Sequence, residues 1–553
     1  GLAPQVRRLG GTPEVAEQIS GIPAKQIHEI AETFALNRPG TILYALGMTQ
    51  HTVAVQNIRC YGILQLLLGN IGKPGGGVNA LRGEPNVQGA CDMGVLNNYL
   101  PGYLNYPVHT EPTLAAWTEN NGTARRKYLI NLLKAFWGDA ATPENDFAYQ
   151  WLPKKNASKD YSTFGIFESA IAGTMKLLWV VGQNPAVSSP NLKVVLEGLG
   201  KLETLVVQEI WETETAAFWK RPGVDPASIQ TEVFLLPGSF FMEKNGSITN
   251  SGAMVQWRYA AVKPPGQALP DGELLDFVFR RVRDLVHESR DPKDEIIKRA
   301  SWTYTTAEDV LREINGRVVS DVPGTGLVAG DLVSRTGDLQ PDGSTSSGSW
   351  IYAGVFSKGE NLSKRRDSRT DPGNLGIYPG FGWTWPNNMR VLYNRASCDK
   401  HGQPYPGSKP IVWWDEQQKR WTGYDTPDVP VLTDGPDTRN GQRPFHLNAE
   451  GVGRLFAAAY DDPDLANRNF PRDWSYVPKD GPLPEMYEPV ESPVENLLHP
   501  KVRTNPTLKY PRVASLQPIG SVDKFPYVLL TPTVAEHWGG GPAARNIPGV
   551  EEH

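Results

Sequence analysis

Lys176-Leu-Leu-Trp-Val-Val-Gly-Gln-Asn-Pro185 is the stretch that decides the fold class. A continuous apolar run ending in Gly-Gln-Asn-Pro reads as a strand buried on both faces that stops at a turn. The next run, Leu192 to Leu199, spaces its apolar residues as a helix, and Leu202 to Val207 returns to a strand. A third strand is expected at Glu232-Val-Phe-Leu-Leu-Pro237, with a helix after Thr213 leading to it. Strands alternating with helices make this an α/β chain built on doubly wound, mostly parallel sheets.

The alternation extends toward the N-terminus. Thr12 ahead of Pro13 and Glu14 is a helix N-cap with proline at the first helical position, and Gly21 stops that helix. Ile27, Ile30, Ala31 and Phe34 fall at helical spacing, Pro39-Gly40 turns the chain, and Thr41 to Leu46 reads as a strand. A tight Gly47-Met-Thr-Gln-His51 loop follows, then a helix from Val53 to Leu68. The glycine-rich stretch from Gly69 to Gly83 cannot continue that helix. Downstream, Leu274, Leu275, Val278, Phe279, Val282 and Val286 mark an amphipathic helix between Asp271 and His287. From 321 to 520 periodicity fades. Eight of the 16 Trp lie from Trp350 onward, so this half reads as loop pinned by aromatics, with short strands.

Composition narrows the function. The 553 residues include 55 Gly and 47 Pro, a loop-rich balance, yet 10% are aromatic, which separates the chain from disordered sequences. A net charge of -5 without a basic stripe argues against nucleic acid as a partner. No run reaches the roughly 18 apolar residues of a membrane span. Cys60, Cys91 and Cys398 make neither a CxxC motif nor a disulfide framework, and none precedes a His, so no metal ligand is assigned. The absence of GxxxxGK[ST], HExxH and GxSxG removes support for P-loop phosphoryl transfer, zinc hydrolysis and a nucleophile-elbow hydrolase. Gly324-Thr-Gly-Leu-Val-Ala fits a relaxed dinucleotide pattern, but Pro323 precedes it and no helix follows, so it reads as a turn. The sequons at Asn121, Asn156, Asn245 and Asn361 read as chance matches.

The remaining chemistry lies in loops at strand ends, because an open parallel sheet binds ligands beyond the carboxyl ends of its strands. Three are Gly47–His51, Gly182–Pro185 and Gln208–Thr213. Their backbone N–H groups suit phosphates, and their carboxylates suit the donors of guanine or ribose. Arg82, between Leu81 and Gly83, can clamp a carboxylate with its planar fork or close a structural salt bridge. His51 and His537 are lone histidines, compatible with packing or with a ligand.

Leu46-Gly-Met-Thr-Gln-His-Thr-Val-Ala-Val-Gln-Asn-Ile-Arg59 and Leu66-Leu-Leu-Gly-Asn-Ile-Gly-Lys-Pro-Gly-Gly-Gly-Val-Asn-Ala-Leu-Arg-Gly-Glu-Pro-Asn-Val-Gln-Gly-Ala-Cys-Asp-Met-Gly94 carry a family resemblance. Together they resemble the catalytic subunit of molybdenum or tungsten formate dehydrogenases, within the molybdopterin oxidoreductases. Gly182-Gln-Asn-Pro, Thr213-Glu-Thr-Ala, Asn245-Gly-Ser-Ile-Thr-Asn-Ser-Gly, Val391-Leu-Tyr-Asn-Arg-Ala-Ser, Lys524-Phe-Pro-Tyr-Val and Glu536-His-Trp keep the family order.

This resemblance implies that Arg82 orients formate, with His51 as the second catalytic candidate. It implies two molybdopterin guanine dinucleotides bearing Mo or W. Their candidate contacts are Thr49, Gln50, Gly182, Gln183, Asn184, Glu209, Glu212, Thr213, Glu243 and Asn250, with His537 and Trp538 near the second pterin. Also implied are a [4Fe-4S] cluster and a metal-ligating Cys or selenocysteine, both expected in a segment before Gly1, an iron–sulfur electron-transfer subunit, a cytochrome or membrane subunit beyond it, and a periplasmic location. The expected division is 1–84, the end of one cofactor-binding α/β domain; 85–240, a second, dinucleotide-like one; 241–320, a β-hairpin and amphipathic helix; 321–520, the Trp-rich loops; and 521–553, the start of a C-terminal β-barrel. Both ends thus read as cut away, and the piece alone as inactive. Ala253 and Thr533 stand where relatives often carry Arg, which Arg258 or Arg545 could replace. The rival readings are another bis-pterin oxidoreductase, acting on nitrate, an N- or S-oxide or a sulfur oxyanion, and a metal-free scaffold.

Overall fold

A computed structural model describes residues 11–51, 54–70, 75–96, 98–365, 381–384, 402–404, 406–407, 410, 412–423 and 526–527. These fall into two compact units: described residues up to Gly83 with those from 402 on form one, and Glu84 to 365 with 381–384 form the other.

The first unit opens with helix α1 (Pro13–Ser20), where the Thr12 side chain accepts from the Val15 N–H and Gly21, left-handed at φ 74°, returns its N–H to Glu17. Helix α2 (Ala24–Leu36), strand β1 (Thr41–Tyr44), the one-turn helix α3 (Leu46–Thr49), helix α4 (Ala54–Leu67) and strand β2 (Gly77–Ala80) follow. The Gly47–His51 segment is therefore a single helical turn and its cap rather than an open loop, and the glycine-rich stretch contains a strand. β2 lies parallel to β1, Thr41 opposite Gly77 and Tyr44 opposite Ala80. Gln65, fully buried on α4, places the pair: its amide donates to the carbonyls of Gly40 and Gly77 and accepts from Asn70. Gly76 lets the chain return closely, since a Cβ there would lie 2.1 Å from the Asn70 carbonyl oxygen.

In the second unit the chain runs through α5 (Val87–Asp92), α6 (Leu114–Asn121), α7 (Thr123–Trp137) and α8 (Thr163–Ile171) to strand β3 (Leu177–Val181). It continues as α9 (Pro185–Ser188), α10 (Leu192–Leu199), β4 (Thr204–Glu209) and β5 (Glu232–Pro237). These strands form a parallel sheet in the order β3-β4-β5, with Leu177 opposite Thr204 and Thr204 opposite Glu232. Val180, Leu205 and Val207 pack with Phe167 of α8 and Val195 and Leu199 of α10, each under a tenth exposed. No α-helix forms after Thr213: Thr215 donates its N–H to Asn184, and only a 3-10 turn, Phe218–Lys220, precedes Pro222. The class is α/β with small parallel sheets.

An antiparallel hairpin, β6 (Gly246–Thr249) and β7 (Met254–Arg258), and the helix α11 (Asp271–Val286) come next, then α12 (Ala307–Asn315). Strand β8 (Gly382–Trp383) adds to β7. The loops after α12 are pinned by aromatics: Trp350 stacks on Tyr128 at 4.2 Å and donates its indole N–H to Gly102. In the first unit β9 (Val412–Asp415) and β10 (Arg420–Gly423) form a hairpin. The expected barrel start falls almost wholly outside the described residues, as do His537 and Trp538.

Candidate functional site

Two strand-end sites take shape, one in each unit. In the first, Thr49 ends the one-turn helix α3 that follows β1, Gln50 and His51 come directly after it, and all three are exposed. Leu81 donates its N–H to the Tyr44 carbonyl at 2.8 Å, which extends the β1–β2 ladder by one bond and delivers Arg82 to the same carboxyl edge. The Arg82 side chain is exposed there. His51 Nε2 lies 2.8 Å from the Gly47 carbonyl oxygen. A carbonyl only accepts, so Nε2 carries the hydrogen and Nδ1 of the neutral ring is the remaining acceptor.

In the second unit a cleft of about 310 Å³ lies beyond β3, β4 and β5. Gly182 and Glu209, both read from the sequence, line it. Gly182 sits at φ 58° and donates its N–H to Gln208, so the chain leaves β3 in a left-handed turn. Glu209 is 9% exposed and accepts from the Ile210 N–H at 2.8 Å. Burial lifts its carboxyl above the usual carboxylate range and nearby Asp271 adds to this, while the Ile210 N–H and Lys244 oppose it.

The other sequence-derived residues divide. Asn184, 2% exposed, spends its side chain inside the protein: Oδ1 accepts from the N–H and hydroxyl of Thr215, and Nδ2 donates to Glu214. Glu212 pairs with Lys220 at 2.7 Å. Glu243 accepts from the Phe240 N–H, and Asn250 from the N–H groups of Gly252 and Met254, so both shape their own turns. Gln183 is exposed at the β3 loop. The buried Thr213 hydroxyl has no partner among the described residues.

Sequence reasoning missed the third wall of the cleft. Gly238, Ser239 and Phe240 follow β5 as the marked loops follow β3 and β4, so the same strand-end rule selects them. Lys244 and Asp271 also line the cleft; their pairing across 27 positions leaves no local signal.

Residues 18–278, which contain both strand-end sites, match the molybdopterin oxidoreductase family. They form a molybdopterin oxidoreductase domain. The chain is 40% identical to formate dehydrogenase 2 subunit alpha (cytochrome c-553) of Nitratidesulfovibrio vulgaris, over 97% of this chain and 53% of that one. It is 39% identical to the formate dehydrogenase-O major subunit of Escherichia coli, over 95% and 52%. Formate dehydrogenase subunit alpha of Megalodesulfovibrio gigas is 38% identical, over 97% and 53%. The chain thus spans about half the length of these relatives, each named as one subunit of a formate dehydrogenase. A molybdopterin group is the cofactor of such a domain, and the polar atoms left over at the cleft suit one. Gln208 Oε1, Ser239 Oγ and Thr213 Oγ1 are buried polar atoms without partners among the described residues, in or beside the loops of the cleft.

Proposed function

We propose that this chain works within a formate dehydrogenase catalytic subunit, with Arg82 and His51 at the substrate. The observation that supports this best is the Leu81–Tyr44 ladder bond, which sets Arg82 on the same strand edge as the Gly47–His51 turn. Formate is the smallest carboxylate, and a guanidinium fork matches its two oxygens. Each charge-assisted bond contributes about 1.5 to 3 kcal/mol, enough to fix which way the C–H bond points. His51 Nδ1, the acceptor left when Nε2 donates to Gly47, is the atom that would take up a proton.

Thr49 and Gln50 in the first unit, and Gly182, Gln183, Glu209 and Thr213 in the second, are the residues that would hold a pair of pterin guanine dinucleotides bearing Mo or W. Asn184, Glu212, Glu243 and Asn250 would act by shaping those loops, and His537 and Trp538 belong to the second pterin by resemblance. When bound, that group supplies the sink for the two electrons given up as formate becomes carbon dioxide. The 310 Å³ cleft has room for the nucleoside end of one such group. A [4Fe-4S] cluster, an iron–sulfur partner subunit, a cytochrome or membrane subunit after it, and a periplasmic location complete the proposal.

The test is Arg82→Ala in the full-length subunit. Formate oxidation should fall on the order of 10³-fold, with Mo or W and pterin content by mass spectrometry unchanged. Activity at the wild-type level would refute the assignment, and loss of metal together with activity would make Arg82 a cofactor-binding or folding residue instead.

A further inference from the structure

Arg82 reaches the carboxyl edge of the β1–β2 pair only while β2 keeps its register. The two strands run parallel, with Thr41 opposite Gly77, so no tight turn ties one to the other. β2 itself offers little grip, since Gly77-Val-Asn-Ala80 has a single large apolar side chain. Side chains alternate along a strand, so a slip of one residue would turn Arg82 to the opposite face of the sheet.

The hold on that register sits at the other end of the strands. Gln65 and Asn70 are both fully buried. Gln65 Nε2 donates to the Gly40 carbonyl at 2.9 Å and to the Gly77 carbonyl, which belong to the residue before β1 and the residue that opens β2. Asn70 Nδ2 donates to Gln65 Oε1 at 2.7 Å. That bond fixes which way the amide faces, so its two N–H groups point at the strands. The Asn70 N–H also donates to the Gln65 carbonyl at 2.9 Å, binding the pair twice. Gly77 stands at φ 106°, a backbone that glycine adopts without strain. Thr41 Oγ1 adds a bond to the Gly77 carbonyl at 3.2 Å, but it is exposed and water competes for it. A methionine at position 65 would fill the same space and read neither carbonyl.

We propose that Gln65, oriented by Asn70, is a positioning residue for the substrate clamp: it reads the starts of both strands at once and so sets where Arg82 arrives, five residues after Gly77. This rests on reading Arg82 as the residue that holds formate.

A double-mutant cycle in the full-length subunit, built from Gln65→Met and Arg82→Ala, tests it. Gln65→Met should lower kcat/KM for formate about 10²-fold, the scale of a group displaced by about 1 Å, with Mo or W content by mass spectrometry unchanged. In the Arg82→Ala background the same change should cost less than about three-fold, because the group it positions is gone. In the 553-residue chain, amide exchange over Gly77 to Gly83 should quicken about ten-fold in Gln65→Met. Should Gln65→Met fail to fold, Asn70→Ala frees the amide from its fixed orientation and gives the same comparison. Equal fold-losses in the two backgrounds overturn the proposal and leave Gln65 a structural residue only, as do exchange at the wild-type rate and loss of metal from both variants. Wild-type activity of Arg82→Ala alone overturns the reading of Arg82 as the clamp, and the positioning role with it.

Discussion

Asn184→Ala separates two roles for one residue. If Asn184 serves only to touch a cofactor, truncating it leaves the stability of the unloaded chain unchanged. The structure makes it the tie between the loops after β3 and β4. Its Oδ1 accepts from Thr215 N at 3.1 Å and Thr215 Oγ1 at 2.8 Å, and Thr215 is fully buried. Alanine strands the Thr215 N–H, at about 1 to 3 kcal/mol for a buried donor left unmade. The Thr215 hydroxyl still accepts from Ala186 but loses its acceptor, which costs about 1 kcal/mol more. The 2.6 Å bond from Nδ2 goes to exposed Glu214, where water replaces much of what is lost. The sum is about 3 kcal/mol, or a fall of roughly 6 to 12 °C in melting temperature for a unit of this size. Urea unfolding followed by circular dichroism measures it. Asn184→Asp keeps the acceptor but sets a second carboxylate against Glu214, so it should lose about 1 kcal/mol, and less at pH 4 than at pH 7. An alanine variant within about 0.5 kcal/mol of wild type would refute the structural role.

Two further predictions concern pH. The hydroxyls of Thr305 and Thr306 hold the Asp309 carboxyl down at about 2, helped by their N–H groups, in the capping box of α12. A depressed carboxyl stabilises the fold above its unfolded value near 3.9 and loses that contribution as pH falls toward 2. The gap between wild type and Asp309→Asn in thermal melts should therefore be full at pH 7 and close below pH 4; a gap independent of pH refutes this. Glu209 has the opposite sign. Burial raises its carboxyl, so ionisation costs stability once pH passes the unfolded value of about 4.3. Glu209→Gln, which can still accept from Ile210, should be more stable than wild type at pH 7 and equal to it near pH 3; equal stability at both pH values would show the carboxylate is not strained by burial.

Where local pattern carries the structure, the sequence was enough. The Thr12 cap, the Gly21 stop, the helix Leu192–Leu199 and the strand Glu232–Pro237 stand where periodicity and turn chemistry put them. β2 did not show, because Gly77-Val-Asn-Ala has one large apolar side chain and becomes a strand through Gln65 and β1. The helix expected after Thr213 failed for a similar reason, since Asn184, 31 positions earlier, captures the Thr215 N–H. In the cleft the strand-end rule found Gly182 and Glu209. Lys244 and Asp271 were invisible, because what makes them relevant is an ion pair between a 3-10 turn and a helix start.

The electrostatics of the cleft limit which end of a dinucleotide it can hold. α11 is a 16-residue helix that begins at the cleft, and a helix N-terminus by itself attracts phosphate. Here its first turn already carries Asp271 and Glu273, and Glu209 stands across from Asp271, against the one cation Lys244 among the lining residues. A phosphate charge about 5 Å from a carboxylate costs about 3 kcal/mol at an effective dielectric constant near 20, more than the 0.3 to 1 kcal/mol, roughly, that a helix terminus returns. Donor groups of a base or a ribose face no such penalty and meet Gln208 Oε1, Asp271 and Glu209 as acceptors. On the proposed reading, the strand-end geometry that suggests a phosphate cradle would at this sheet receive the base and sugar instead, with the pyrophosphate outside the acidic wall.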